Sequence, residues 1–216
     1  GNAGSYQLLT IAANNVSIKG VAVGNSQAKG IFSASGNSGV EVDCSYWGVR
    51  ADGVTAWPLA TSGITGPSQI TGGSGHVITN SLFSGNNTGA DRGFILQDVT
   101  GAAVTGSLFG LRADGTAALP NGNEGILLAG TNSDVVIGGT TAETRNIISG
   151  NVGNGITLSG TDTDISIVGN YIGVAVDGAT VLANGGSGIE VPGATSVTIG
   201  DGTVAGRNVI AGHSTI

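Results

Sequence analysis

The segment NYIGVAVDG at residues 170–178 occurs in variant form twice more along the chain. SLFGLRADG at 107–115 and SYWGVRADG at 45–53 share its apolar or aromatic pair, the glycine that follows and the Asp-Gly ending. The Asp-Gly pairs begin at positions 52, 114 and 177, so the spacing between successive copies is nearly constant. Regular spacing over three copies indicates an internal repeat, which is typical of solenoid proteins.

Each repeat divides into two units of three short strands. First strands begin near Phe94, Ile126, Ile156 and Ile189, at steps close to half of the repeat. Strands this short cannot enclose a core alone, whereas stacked coils can, with parallel pairing about 4.8 Å apart. The sequence therefore predicts an all-β fold, a parallel β-helix of about seven three-strand coils, roughly 35 Å long. We expect residues 1–216 to form a single domain.

Alternation of apolar and polar residues along the strands predicts which side chains fill the interior. In ITLS at 156–159, the two apolar residues share one face and the two polar residues share the other. Extended to the other coils, this pattern predicts three interior stacks. The third strands supply one of them, which consists of Leu82, Phe109, Ile148, Ile172 and Ile210.

A polar residue precedes the third strand in most coils. A sharp turn leaves backbone groups unpaired, and asparagine both tolerates left-handed geometry and pairs with such groups. We therefore predict an internal turn ladder rather than a polar binding row. Its members are Asn80, Ser107, Asn146, Asn170 and Asn208.

Composition excludes several protein classes. The 41 glycines among 216 residues have no three-residue period, which excludes collagen, and the 10% charged content argues against disorder. No apolar run is long enough for a membrane span, and one cysteine cannot form an internal disulfide framework. A net charge of −7 argues against nucleic acid as a partner.

Several segments resemble the repeat of bacterial right-handed parallel β-helix surface proteins. RNIISGN at 145–151 and GNYIG at 169–173 carry the likeness, and the stretch from DG at 177–178 to LAN at 182–184 is similar to that family's loop. The resemblance implies a right-handed helix, secretion to the bacterial cell surface, and a structural or adhesive role.

Enzymes on this fold need clustered carboxylates on an outer sheet. Glu41 and Asp43 both point outward by alternation, but the matching strands one and two units later carry no carboxylate. Asp134 and Asp164 repeat, yet each precedes a strand in a turn, where aspartate commonly caps backbone N–H groups. We therefore expect no catalytic residues and no enzyme activity.

The Asp-Gly pairs at Asp52, Asp114 and Asp177 are the best metal candidates. Because they lie two coils, or about 10 Å, apart, one Ca²⁺ ion cannot bridge them. Simple turn chemistry is the preferred interpretation, and separate weak Ca²⁺ sites remain open; we expect no other cofactor. We expect His76 and His213 to be surface or turn residues, since neither has metal-ligating neighbours at suitable spacing.

Four side chains are candidates for surface contacts. Tyr46, Leu108 and Tyr171 recur once per repeat and are expected to form an outer ridge. Trp57, in an inserted loop, either anchors that loop or stacks on sugar rings. Cys44 is expected to be a small buried residue.

Neither end of the sequence shows an amphipathic capping helix. An uncapped β-helix exposes backbone ready for pairing, so we expect a segment of a longer array or a chain that stacks head to tail with itself. The sequence thus favours a non-enzymatic extracellular structural or adhesive element: a segment or subunit of a bacterial surface fibre, sheath or adhesin stalk. Cell-surface glycans are possible partners. The alternative is a carbohydrate-binding or polysaccharide-cleaving β-helix.

Overall fold

The computed structural model describes residues 7–33, 36–59 and 67–213. These residues form 21 short strands, with no helix among them. The strands make up three sheets of seven strands each, and every strand pairing is parallel.

The chain visits the three sheets in a fixed order. Sheet A contains β1 (Gln7–Ile11), β4 (Lys29–Ser33), β7 (Ser68–Thr71), β10 (Phe94–Gln97), β13 (Ile126–Ala129), β16 (Ile156–Leu158) and β19 (Ile189–Glu190). Sheet B contains β2 (Ser17–Lys19), β5 (Glu41–Asp43), β8 (Val77–Thr79), β11 (Ala103–Thr105), β14 (Ser133–Gly138), β17 (Thr163–Val168) and β20 (Thr195–Ile199). Sheet C contains β3 (Ala22–Val23), β6 (Tyr46–Trp47), β9 (Leu82–Phe83), β12 (Leu108–Phe109), β15 (Ile147–Ile148), β18 (Tyr171–Ile172) and β21 (Val209–Ile210).

Each strand from β1 to β18 pairs with the strand three places later in the chain. Three consecutive strands therefore form one coil, and the seven coils stack in sequence order. The predicted all-β parallel β-helix of seven three-strand coils is confirmed.

The core lies inside the coils, as the alternation predicts. On sheet C the interior row includes Trp47, Phe83 and Phe109, whose rings stack with centroids 6.2 and 5.2 Å apart. Placing Leu82 in that row was wrong: it pairs with Leu108 in the neighbouring row, and Phe83 holds the interior position. Ile210 is 45% exposed because, among the described residues, no coil lies above it.

Every coil makes the same sharp turn between sheets A and B. At one equivalent position in every coil, at or just before the start of the sheet B strand, φ is positive, between 54 and 67°. Glycine, asparagine and aspartate tolerate this left-handed region best, so Asp134 and Asp164 owe their repetition to backbone geometry. The full set is Asn15, Gly39, Gly75, Gly101, Asp134, Asp164 and Ser196.

Candidate functional site

The turn between sheets B and C carries the predicted ladder. The backbone N–H of Ser107 donates to Asn146 Oδ1 (3.0 Å), and the Asn146 side chain donates to Asn170 Oδ1 (3.0 Å). Asn170 donates in turn to Asn208 Oδ1 (3.1 Å). Each upper side chain thus satisfies a backbone group of the coil below, so the row links coils along the axis.

Assigning Asn80 to this ladder was wrong by one residue. Ser81 supplies the oxygen, accepting from the Ser45 N–H at 3.1 Å, while its own N–H donates to Ser107 Oγ. Asn80 occupies the preceding position, with a φ of 48°, and its exposed side chain donates to Asp43. Its residue type reflects the left-handed turn and not the ladder.

A second asparagine ladder follows the third strands and was not predicted. Asn86, Asn121, Asn151 and Asn184 are at most 2% exposed, and each side chain donates to the next at 2.8 to 3.2 Å. The segment SGN, which occurs at 84–86 and again at 149–151, was the signal available in the sequence.

A third, shorter ladder lies at the turn between sheets A and B. The Asn132 side chain donates to Ala129 O (3.0 Å) and to Asp162 Oδ1 (2.7 Å). Asp162 is fully buried, and its Oδ2 has no hydrogen-bond partner. A carboxylate cannot donate as the Asn132 amide does, which leaves this upper position of the ladder incompletely satisfied.

The three Asp-Gly segments form hairpins that project from coils two, four and six. Antiparallel bridges close their bases at Val49–Ala56, Leu111–Ala118 and Val174–Val181. In the last hairpin, Asp177 accepts from two backbone N–H groups and from the Thr180 hydroxyl (2.6 Å). These bonds, the hydroxyl bond foremost, hold the pKa of Asp177 below its usual value.

Asp52 and Asp114 also accept bonds inside their own hairpins, Asp52 from the threonine three residues later and Asp114 from the threonine two residues later. Asp52 binds the Thr55 hydroxyl at 2.6 Å and Asp114 binds the Thr116 hydroxyl at 2.9 Å. No group of three potential metal-ligating side chains occurs in the described part of the chain. The structure thus gives each of these carboxylates a role in turn formation.

The hairpins contact one another directly in a continuous column. The N–H of Ala113 donates to Gly53 O at 2.8 Å, and the N–H of Val176 donates to Gly115 O at 3.0 Å. The Asp-Gly pairs belong to coils two apart, as the sequence predicts. Each hairpin nevertheless reaches the next one, because it spans the height of two coils.

The predicted ridge serves as the base for these hairpins. Tyr46, Leu108 and Tyr171 are half-buried, and each lies beneath the Asp-Gly glycine of its own coil. Glycine is needed there because a Cβ at Gly178 would come within 2.7 Å of the Tyr171 ring. The three side chains therefore do not form a continuous free lateral surface, although Tyr46 lines a groove.

Trp57 belongs to the base of the first hairpin. Its backbone N–H donates to Gly48 O (2.7 Å), and its backbone carbonyl accepts from the Asn25 N–H (2.9 Å). Its half-buried ring lies 5.8 Å from the Arg50 guanidinium. These contacts favour the loop-anchor interpretation over the sugar-stacking one.

The groove beside Tyr46 has a volume of about 410 Å³. It opens at the turn between sheets B and C in the first three coils. It is lined by Gly20, Val21, Ala22, Cys44, Tyr46, Ala51 and Asn80.

Two expectations about single residues were wrong. His76 is fully buried and takes the place of an apolar residue in the interior row of sheet B. Its Nδ1 accepts from the Val40 N–H (3.3 Å), and its Nε2 bonds Gly72 O (2.9 Å). Burial lowers the pKa of His76. Cys44 is exposed and not buried, because it takes the left-handed turn position with a φ of 49°. His213 is half-buried.

Glu41 and Asp43 lie on the outer face of sheet B, as expected. Glu41 pairs with Lys19 at 2.7 Å, and Asp43 accepts from Thr79 and Asn80 at 2.9 and 3.0 Å. Each carboxylate is thus engaged by neighbouring coils.

No protein-family model, curated protein or solved structure matches this chain. Among the described residues, none belongs to a helix that could cross a bilayer.

Proposed function

We propose that this protein is a non-enzymatic structural element of an extracellular rod. It would serve as a segment or subunit of a bacterial surface fibre, sheath or adhesin stalk, with further copies or coils as its axial partners. The observation that carries the proposal is the presence of three uninterrupted seven-strand parallel sheets whose hydrogen bonds all run along one axis.

This arrangement suits a part that carries load along its length. Every coil is bonded to the next through three sheets, and buried side-chain ladders add further axial bonds. An interior of closely packed apolar rows runs through the coils. Pulling two successive coils apart would require breaking the hydrogen bonds of all three sheets and of the ladders between them at the same time.

The terminal strands support axial association. Within the described structure, the strands of the first and seventh coils each pair on one side only. Such edges present unpaired N–H and C=O groups that another coil can extend. Head-to-tail contact between copies would be heterologous and would generate an open filament.

Negative-stain electron microscopy over a protein concentration series tests the proposal. We expect filaments that lengthen with concentration and have an axial repeat near 34 Å, seven coils at about 4.8 Å each. Isolated short particles at every concentration would contradict self-assembly by this chain.

One feature that favoured the carbohydrate alternative was an open ring at Trp57, and that ring is half-buried and contacts Arg50. The fibre proposal is therefore preferred. Retention or depolymerisation of acidic polysaccharides, with and without Ca²⁺, would reverse that preference.

A further inference from the structure

An arginine-tyrosine contact between coils five and six provides an internal template. The guanidinium carbon of Arg145 lies 4.2 Å from the centroid of the Tyr171 ring. Its Nε donates to Gly169 O at 3.1 Å. Ring and carbonyl together thus form a guanidinium site, which the chain fills with its own side chain.

The second coil repeats the ring and the carbonyl. Tyr46 occupies the place of Tyr171, and Cys44, two residues earlier, occupies the place of Gly169. Both turn residues have positive φ, 49° and 71°, so their backbones follow the same course.

The arginine has no counterpart in the first coil. Arg145 lies two residues before Ile147, the pairing partner of Tyr171; the matching position, two before Ala22, is Gly20. A Cβ built on Gly20 would have nothing within 4 Å. The groove of about 410 Å³ lies here, bounded by Gly20, Cys44 and Tyr46.

The charge around the groove favours a cation. Asp43 directly precedes Cys44 and accepts from the Asn80 side chain at 3.0 Å, and Cys44 and Asn80 both line the groove. The pKa of Asp43 is lowered by hydrogen bonds from Asn80 and then Thr79, so the carboxylate stays ionised at neutral pH. Lys19, which directly precedes Gly20 in the chain, pairs with Glu41 at 2.7 Å. A planar cation placed against Tyr46 would gain cation–π attraction and a carbonyl acceptor together.

We propose that this groove binds an arginine side chain presented by a partner polypeptide. The guanidinium lies against the Tyr46 ring and donates to the carbonyl of Cys44, reproducing the contacts of Arg145. This site is additional to the proposed structural role and does not depend on filament formation.

NMR titration of the ¹⁵N-labelled chain with N-acetyl-arginine amide tests the proposal. We expect saturable shifts at the amides of residues 20–22 and 44–46, and none with N-acetyl-glutamine amide, which is neutral. Tyr46→Leu is the matched variant, because Leu108 occupies the same place in coil four and shows that leucine fits the fold. We expect it to weaken binding by about two- to thirtyfold, through loss of the cation–π contact.

Arg145→Ala supplies a second site for comparison. Removing this side chain exposes Tyr171, so the probe should gain shifts at residues 169–171 of that variant. Absence of shifts at residues 44–46 of the unmodified chain would overturn the proposal, most decisively if Arg145→Ala bound the probe at Tyr171. Equal binding by the Tyr46→Leu variant would also overturn it.

Discussion

Replacing Asn146 by alanine tests the buried ladder most sharply. The substitution removes the acceptor of the Ser107 N–H (3.0 Å) and the donor to Val104 O (2.8 Å), in a place with no solvent exposure. An unsatisfied buried polar group costs about 1–3 kcal/mol. We therefore expect a loss of about 2–6 kcal/mol in the free energy of unfolding of the central coils.

Hydrogen exchange is the preferred assay, because solenoid repeats can open locally. Amides of coils four to six should exchange faster in the variant, together with a lower urea midpoint by circular dichroism. Asn146→Ser should recover part of the loss, since serine holds this ladder position in Ser81 and Ser107. Asn87→Ala, at an exposed asparagine, is the control and should stay within about 0.5 kcal/mol. A loss for Asn146→Ala no larger than that of the control would refute the reasoning.

Three further predictions concern titratable residues. Asp162→Asn should raise the free energy of unfolding, measured in urea, by about 1–3 kcal/mol, because an amide can donate where the buried carboxylate oxygen has no partner. Asp134→Asn, at an exposed position, is the control and should leave the free energy of unfolding unchanged. The Thr180 hydroxyl lowers the pKa of Asp177, so the ionised carboxylate adds to the free energy of unfolding. This contribution is fully present above the unfolded-state pKa of about 3.9 and is lost as pH falls through the folded-state pKa. Asp177→Asn should flatten the acid limb of the pH–stability curve; an unchanged limb would contradict this role. Burial lowers the pKa of His76, so the chain should lose stability as pH falls below about 6.5, and His76→Val should abolish that slope.

The repeat made the architecture predictable. Three evenly spaced copies, together with strict alternation in segments such as 156–159, specify three strands per coil and their inward faces. Where two adjacent residues are both apolar, alternation gives no register, and Leu82 was therefore exchanged with Phe83.

The site was less predictable, because position within a turn is not visible in residue type. Asparagine serves two adjacent needs there, left-handed geometry and side-chain pairing, which is why Asn80 was mistaken for a ladder member. His76 was missed for a related reason: a histidine in an apolar row needs partners from Val40 and Gly72, which are distant in sequence or lie across a turn. The groove at Tyr46 exists because Gly20 stands in the first coil where the fifth coil has Arg145. These two positions can be matched only when the register of the coils is known.

Distances between spin labels along one outward row of sheet B test whether the seven coils form one continuous axial stack. Pulsed electron–electron double resonance measures these distances. Ser17, Val136 and Thr198 belong to that row, in coils one, five and seven, and all three are exposed. With Cys44 replaced by serine, spin labels at Ser17 and Val136 should lie about 19 Å apart, and labels at Ser17 and Thr198 about 29 Å apart, at about 4.8 Å per coil. Equal distances for the two pairs, or a shorter distance for the second, would contradict a continuous stack of seven coils.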